Sequence, residues 1–406
     1  MRRIRVLVVD DAVVVRRLVT DVLAADPDIE VVGVAANGRI ALQKIAQLAP
    51  DLITLDIEMP EMDGLTTVTE LRKTWKTLPV IMFSTLTERG AQATMEALAR
   101  GATDYVTKPA NVGSVTMAQQ RVREDLIPRI KSLCAGVLPS SAASAKAAAV
   151  AAHTAASVSA QLTKVAGSPP PRPLRPPVTG PLQPISIVAI GCSTGGPNAL
   201  IEILPKFPEN FPLPIVITQH MPPMFTKFLA DRLSVISKLT VCEATEGAAI
   251  TPGFVWIAPG DHHLVLKKVA GQVVATLTQG PPENSCRPAV DVMLRSVVEC
   301  YGPRVLSVIL TGMGQDGLRG SEAVHDAGGT VFAQDEASSV VWGMPGFVAR
   351  SGIASAVIPL DQIAQSIIDR VGPSARLSYH AAPRDVPLPA PRVAPSTATP
   401  SGGTWQ

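Results

Sequence analysis

The sequence predicts two α/β modules, each a doubly wound parallel sheet, joined by a low-complexity linker and followed by a Pro/Ala-rich tail. Three observations carry this. The chain has 406 residues of which 46% are hydrophobic, enough for two separate cores. Short, nearly continuous apolar runs alternate with stretches of helical apolar spacing, as expected of strands buried on both faces of a parallel sheet. Between about residues 135 and 184 the composition turns to Ala and Ser and then to "GSPPPRPLRPPVTGPLQP", which lacks the large apolar side chains a core needs.

Taken in order, strand-like runs occupy 4–10, 51–56, 79–85 and 104–108, with a helix-spaced stretch at 91–99. They define a first module of residues 1–125. Residues 126–184 comprise the end of a helix and the linker. Runs resume at 186–190, 214–218, 254–257, 305–310, 330–333 and 354–358, with helix candidates between most of them. The stretch "HLVLKKVAGQVVATL", 263–277, reads instead as two strands turning at "AG", a hairpin appended to the sheet. The second module is therefore residues 185–373, and 374–406 is a disordered tail.

Composition excludes several classes of function. A net charge of +2 and 4% aromatic residues provide neither a basic field nor stacking platforms for nucleic acid. Five cysteines, at 134, 192, 242, 286 and 300, show no paired spacing and fit reduced thiols rather than a disulfide framework. The N-terminal "MRRIRVLVVDD" runs into two aspartates, which a signal peptide would not tolerate. No stretch reaches the roughly 18 consecutive apolar residues of a membrane span. The expectation is a cytoplasmic monomer without direct membrane insertion.

Chemistry concentrates at predicted strand ends, because the carboxyl ends of parallel strands line the ligand crevice of an open sheet. In the first module these are Asp10 and Asp11, Asp56, Ser84 and Lys108. Any one aspartate there is commonly a turn or cap residue. Three together repel unless a cation sits among them, and Mg²⁺ suits carboxylate oxygens while keeping waters for a phosphoryl group. Lys108 opposite supplies a point charge for a phosphoryl oxygen.

In the second module, "SIVAIGCSTGGPNAL" sets Ser193 at a strand-to-helix corner. As Gly-x-Ser-x-Gly it reads as a nucleophile, and as a glycine-rich loop it reads as a phosphate cradle. "VITQHMPP" places His220 at another strand end, and "VILTGMGQDG" places Asp316 just past a third. A serine needs a base, and the base needs a carboxylate to fix its tautomer. Against a phosphate cradle, the third glycine and downstream acid of a dinucleotide fingerprint are not at the expected spacing, and "GQDG" would be left without a role. "APGDHH", with Asp261, His262 and His263, is a competing set on the loop entering the hairpin. Individually, a strand-end histidine, an Asp before Gly and a serine among glycines are more often structural.

The joint patterns go further. "VVDD", "LDIEMPEMDG", "MFST" and "VTKP" resemble the receiver domain of bacterial response regulators, a flavodoxin-like fold. That resemblance implies that Asp56 accepts a phosphoryl group from a phosphohistidine kinase. Asp10, Asp11 and Asp56 would hold Mg²⁺, Lys108 would contact phosphate, Ser84 and Tyr105 would form the switch pair, and a cis bond would precede Pro109. "AIGCSTGGPNAL", "ITQHMPPMFTKFLADRL", "IAPGDHHL", "CRPAVDVML" and "ILTGMGQDG", following a receiver, resemble the chemotaxis response-regulator protein-glutamate methylesterases. This second resemblance implies a Ser193, His220 and Asp316 triad with an oxyanion hole from the backbone N–H groups of Thr194 and Met313. It also implies hydrolysis of γ-glutamyl methyl esters on methylated chemoreceptors, deamidation of particular receptor glutamines, no cofactor in the catalytic module, and relief of receiver inhibition by phosphorylation. Two departures stand out. Cys192 occupies a position expected to be Ala or another small residue, read as packing or as an oxidation-sensitive neighbour. The linker is long for the family, so incomplete inhibition is expected.

Overall fold

A computed structural model describes residues 2–109, 114–137 and 183–372 of the chain. The expectations placed on 138–182 and on the tail lie outside the described residues.

In the first module β1 (Ile4–Val9), β2 (Ile29–Ala35), β3 (Leu52–Asp56), β4 (Val80–Ser84) and β5 (Asp104–Thr107) form a parallel sheet in the order β2-β1-β3-β4-β5. β3 and β4 are buried along their whole length, which is why they read as continuous apolar runs. β2 is an edge strand interrupted by Glu30 and Gly33 and largely half-buried, so its apolar signal is broken. Three of the four helices between strands are started by side chains that accept orphan N–H groups. Asp63 takes the N–H of Thr66 at 2.7 Å and Thr87 that of Gly90 at 3.0 Å, the usual N-cap arrangement. The last helix runs Val115–Leu133.

The second module contains β6 (Ile187–Cys192), β7 (Ile215–Gln219), β8 (Thr240–Glu243), β9 (Phe254–Ile257), β12 (Val305–Ile309), β13 (Thr330–Gln334) and β14 (Ala356–Ile358). They pair in the order β14-β13-β12-β6-β7-β9-β8, and every pairing is parallel. β8, four residues long and at the edge, carries too little apolar pattern to be legible. Both modules are therefore doubly wound parallel sheets.

β10 (His263–Val269) and β11 (Gln272–Thr278) form the expected hairpin, turning through Ala270 and Gly271 at φ 48° and 84°. They make a two-stranded sheet of their own beside the large one. The reason is packing: Leu264, Leu266 and Ala275 share a core with Met293, Leu294 and Val297 of the helix Val290–Tyr301, so the apolar face of the hairpin is met by a helix. The Lys108–Pro109 bond is not cis; the cis bond among the described residues is Arg287–Pro288. The trans form is the favoured one by roughly 0.5–1 kcal/mol, and with it Lys108 already reaches its carboxylate partners.

Candidate active site

Strand order in the large sheet reverses between β6 and β12: β7 lies on one side of the pair, and β13 and β14 on the other. The crevice beyond the carboxyl ends at such a reversal is where open α/β sheets bind ligands. Ser193 directly follows β6, His220 follows β7, and the loop 310–317 follows β12. Cys192 pairs with Gln219 in register, and the N–H of His220 donates to Cys192 O at 3.2 Å, which sets Ser193 next to His220.

The corner holding Ser193 is fixed from three sides. Its own N–H donates to Thr311 O at 3.0 Å, Gln219 Nε2 donates to its carbonyl at 3.0 Å, and Thr311 Oγ1 donates to Thr194 O at 2.9 Å. Two glycines are required here. Gly195 turns the chain into the helix Gly196–Ile203 at φ 77°, a left-handed conformation other residues rarely take. A Cβ on Gly312 would lie 2.9 Å from the Cβ of Ser193, so the two loops approach only because a side chain is missing.

His220 and Asp316 meet directly, with Nε2 2.7 Å from Oδ2. Asp316 is 2% exposed and accepts further bonds from the N–H groups of Val290, Asp291 and Gly317 and from Asn284 Nδ2. Burial alone would raise its pKa, but the bond to His220 and these N–H donors hold it below the usual carboxylate range. Burial would likewise depress His220; the Cys286 sulfur and Asp316 outweigh it and push the imidazole up to about 10. With Nε2 committed to a carboxylate, Nδ1 is the ring nitrogen left to act as a base.

Among the described residues, the Ser193 hydroxyl has no hydrogen bond to that nitrogen. Nδ1 instead faces Cys286 Sγ at 3.5 Å, a contact the sequence reading did not anticipate although Cys286 opens the quoted "CRPAVDVML". Asn284 and Asp291 were also missed. Asn284 Nδ2 bridges Asp291 Oδ2 and Asp316 Oδ1, at 2.9 Å each. Asp291 is fully buried, and burial together with the nearby Asp316 charge lifts it to about 6. No local sequence pattern marks such a bridge, because its members converge from three separate segments.

The N–H groups of Thr194 and Met313, the expected oxyanion donors, have no acceptor among the described residues. "APGDHH" does not compete. His263 is 2% exposed and is held between the N–H of Ala289 and the carbonyl of Pro281, while Asp261 pairs with Arg287. Cys192 is fully buried, its sulfur against Thr218 O at 3.9 Å, and burial raises the thiol pKa far above its ordinary value. It packs, and lacks the exposure that an oxidation-sensitive thiol needs.

In the first module the same topological rule gathers the acidic set. β1 and β3 flank the reversal in strand order, and ligand atoms of Asp10, Asp11 and Asp56 lie within 4.8 Å of one another. Lys108 Nζ is 2.9 Å from Asp10 Oδ2 and 2.8 Å from Asp56 Oδ2. Burial raises Asp56 to about 6, with Lys108 opposing and Asp10 reinforcing the rise. One ammonium for three carboxylates leaves a surplus of negative charge that suits a hard divalent cation. Ser84 Oγ turns inward to Gly90 O and Thr94 Oγ1, and Tyr105 is buried.

Residues 188–367 match the family model described as CheB methylesterase, and residues 6–119 match the response regulator receiver domain. A protein-glutamate methylesterase/protein-glutamine glutaminase of Trichodesmium erythraeum is 50% identical over 374 residues, 92% of this chain and 100% of that one. The chain belongs to this protein-glutamate methylesterase/protein-glutamine glutaminase family. A relative of the same name from a Nocardioides species is 52% identical over 91% of the chain and 96% of its own length. The crystal structure of the Thermotoga maritima CheB methylesterase catalytic domain is 50% identical, spanning 46% of this chain and 98% of that one with a TM-score of 0.45.

In this methylesterase-family chain the receiver packs against the catalytic region beside Ser193. The Tyr105 ring stacks on Phe225 with centroids 4.9 Å apart. Asn198 Nδ2 donates to Ala102 O at 2.9 Å, Arg129 Nη1 reaches Thr194 Oγ1 at 3.4 Å, and Arg232 pairs with Glu96 at 3.2 Å. Met95, Ala102 and Tyr105 belong to one continuous apolar cluster with Phe225 and Leu229. The receiver thus reaches the residue next to the candidate nucleophile.

Proposed function

We propose that this chain is a phosphorylation-activated serine hydrolase that removes methyl groups from γ-glutamyl methyl esters of chemoreceptors, releasing methanol, and deamidates specific receptor glutamines. The observation that carries the reading is the His220–Asp316 pair at the sheet's switch point, adjacent in register to Ser193. Ser193 Oγ attacks the ester carbonyl as Nδ1 of His220 takes its proton, and the resulting imidazolium is held by Asp316. The N–H groups of Thr194 and Met313 donate to the oxyanion, a contribution of roughly 3 kcal/mol per donor in comparable sites. His220 then protonates departing methanol, or ammonia from a glutamine, and water attacks the acyl-enzyme with His220 again as base.

Control resides in the receiver, whose role we read as regulatory. Asp56 attacks the phosphorus of a phosphohistidine on a chemotaxis histidine kinase; Mg²⁺ held by Asp10, Asp11 and Asp56 would neutralise the charge that builds up there. Lys108 contacts the transferred group, and Ser84 and Tyr105 respond to it. Because Tyr105 stacks on Phe225, a change at the phosphorylation site reaches the interface through one side chain. The described residues contain no helix long and apolar enough to cross a membrane, consistent with a substrate met at the receptor's aqueous surface.

The test is methanol release from methylated receptor by the purified full chain, with and without Mg²⁺ and acetyl phosphate. Release is expected in both conditions and faster with the phosphodonor, while Asp56→Asn keeps the slower rate and loses the stimulation. No methanol under either condition sinks the reading.

The docked receiver gives a second expectation. Asn198→Ala removes one hydrogen bond across the interface, worth about 1 kcal/mol, which shifts the docking equilibrium about fivefold. Unphosphorylated activity should rise by up to that factor, with phosphorylated activity changed less than twofold. An unchanged unphosphorylated rate would rule out inhibition by this contact.

A further inference from the structure

Cys286 contacts a histidine that is itself held by a carboxylate: Sγ is 3.5 Å from His220 Nδ1, and Nε2 is 2.7 Å from Asp316 Oδ2. A thiol, an imidazole and a carboxylate in line make up the constellation that activates cysteine nucleophiles. The contact is built in. Glu283 and Cys286 exchange both backbone hydrogen bonds across a tight turn, and the turn residue Asn284 is tied through its amide to Asp291 and Asp316. The segment carrying the thiol is therefore anchored to the same carboxylate that holds the imidazole.

The other four cysteines differ. Cys134, Cys192 and Cys300 are buried. Cys242 is half-exposed like Cys286, but no hydrogen bond joins it to a base among the described residues, and burial raises its pKa, reinforced by Asp231. Cys286 alone of the five combines exposure with an imidazole partner.

We propose that Cys286 is a modification site for hydroperoxides, and that its oxidation silences the hydrolase because the sulfenic O–H, a stronger donor than the weak S–H it replaces, holds the ring nitrogen Ser193 requires. The Cys286 proton passes to His220 Nδ1. The thiolate attacks one oxygen of the hydroperoxide, forming an S–O bond as the O–O bond breaks, and the leaving oxygen takes the proton from His220. Cys286 sulfenic acid and water, or an alcohol, are the products. A thiol reductant reverses the step: two thiol groups become a disulfide, Cys286 returns to the thiol, and water is released. The silencing half rests on the hydrolase reading above; the reactivity of the thiol does not.

Two measurements on the full chain separate these halves. First, iodoacetamide alkylation at pH 7 is followed by mass spectrometry at Cys286, with Cys242 as internal reference. A base in contact with a thiol speeds its alkylation by taking the proton. His220→Ala should slow Cys286 about tenfold and leave Cys242 unchanged. A change of less than twofold at Cys286 overturns its activation by His220.

Second, methanol release is compared before and after hydrogen peroxide, then after dithiothreitol. The wild-type chain should lose most of its activity and regain it, whereas Cys286→Ala should retain the same fraction of its own starting rate through all three stages. Equal fractional loss in Cys286→Ala, or wild-type activity that survives oxidation of Cys286, overturns the silencing. Absence of methanol before any treatment counts against the hydrolase reading alone, and the alkylation rates still decide the site.

Discussion

Ser193→Ala should lower methanol release by about 10⁶-fold, the scale on which removing the nucleophile of a serine triad acts, while Asp56 is phosphorylated at the wild-type rate. The substitution removes one oxygen from a half-buried side chain at a corner held by backbone and by Gln219 and Thr311, none of which uses the hydroxyl, so the fold should be unchanged. The alternative it tests is a response regulator whose second module only binds a receptor or a nucleotide. Retention of methanol release would remove Ser193 from the mechanism. Because Nδ1 of His220 faces Cys286 in this structure, residual activity that Cys286→Ala then abolishes would identify the thiol as the attacking group instead.

Asp316→Asn should cost about 10⁴-fold in kcat, the effect of presenting the wrong group to a triad histidine. The carboxylate accepts from five donors: His220, the N–H groups of Val290, Asp291 and Gly317, and Asn284. An amide has one accepting oxygen and must turn its NH₂ towards some of these donors, so His220 loses its orienting partner or the loop loses its anchor. The pH dependence should move with it. Asp316 is among the groups that raise His220 to about 10, and the base must be neutral to accept the serine proton. Wild-type activity therefore rises as pH increases through the neutral and alkaline range. In Asp316→Asn the imidazolium is less stabilised, and the midpoint of that rise should fall towards neutrality. A variant with unchanged kcat and an unchanged midpoint would show that the pair is structural only.

Sequence reading was reliable where the physical signal is local. β3, β4, β6 and β7 are buried along both faces, so burial left continuous apolar runs that named both parallel sheets. Asp56 in one module, and His220 with Asp316 in the other, could be proposed from sequence because strand ends are short, identifiable positions and parallel topology sends those of each sheet to one crevice. The signal failed at two of the four edge strands. β2 and β8 are mostly half-buried or exposed along their length, and their patterns are correspondingly weak. It located the hairpin but not its packing partner, since alternating apolar residues say that one face is covered but not by what; the helix Val290–Tyr301 covers it.

By itself, the sequence determined the two-module architecture and the residue types that stand at the strand ends of each module. Those follow from composition and periodicity, which act along the chain. Only the tertiary structure decided which groups touch. It brought His220 to Asp316, put Cys286 rather than Ser193 against the free imidazole nitrogen, closed Cys192 into the core, and stacked Tyr105 on Phe225. Each of these contacts joins segments far apart in sequence, and their distances depend on loop conformations and packing that no single segment encodes.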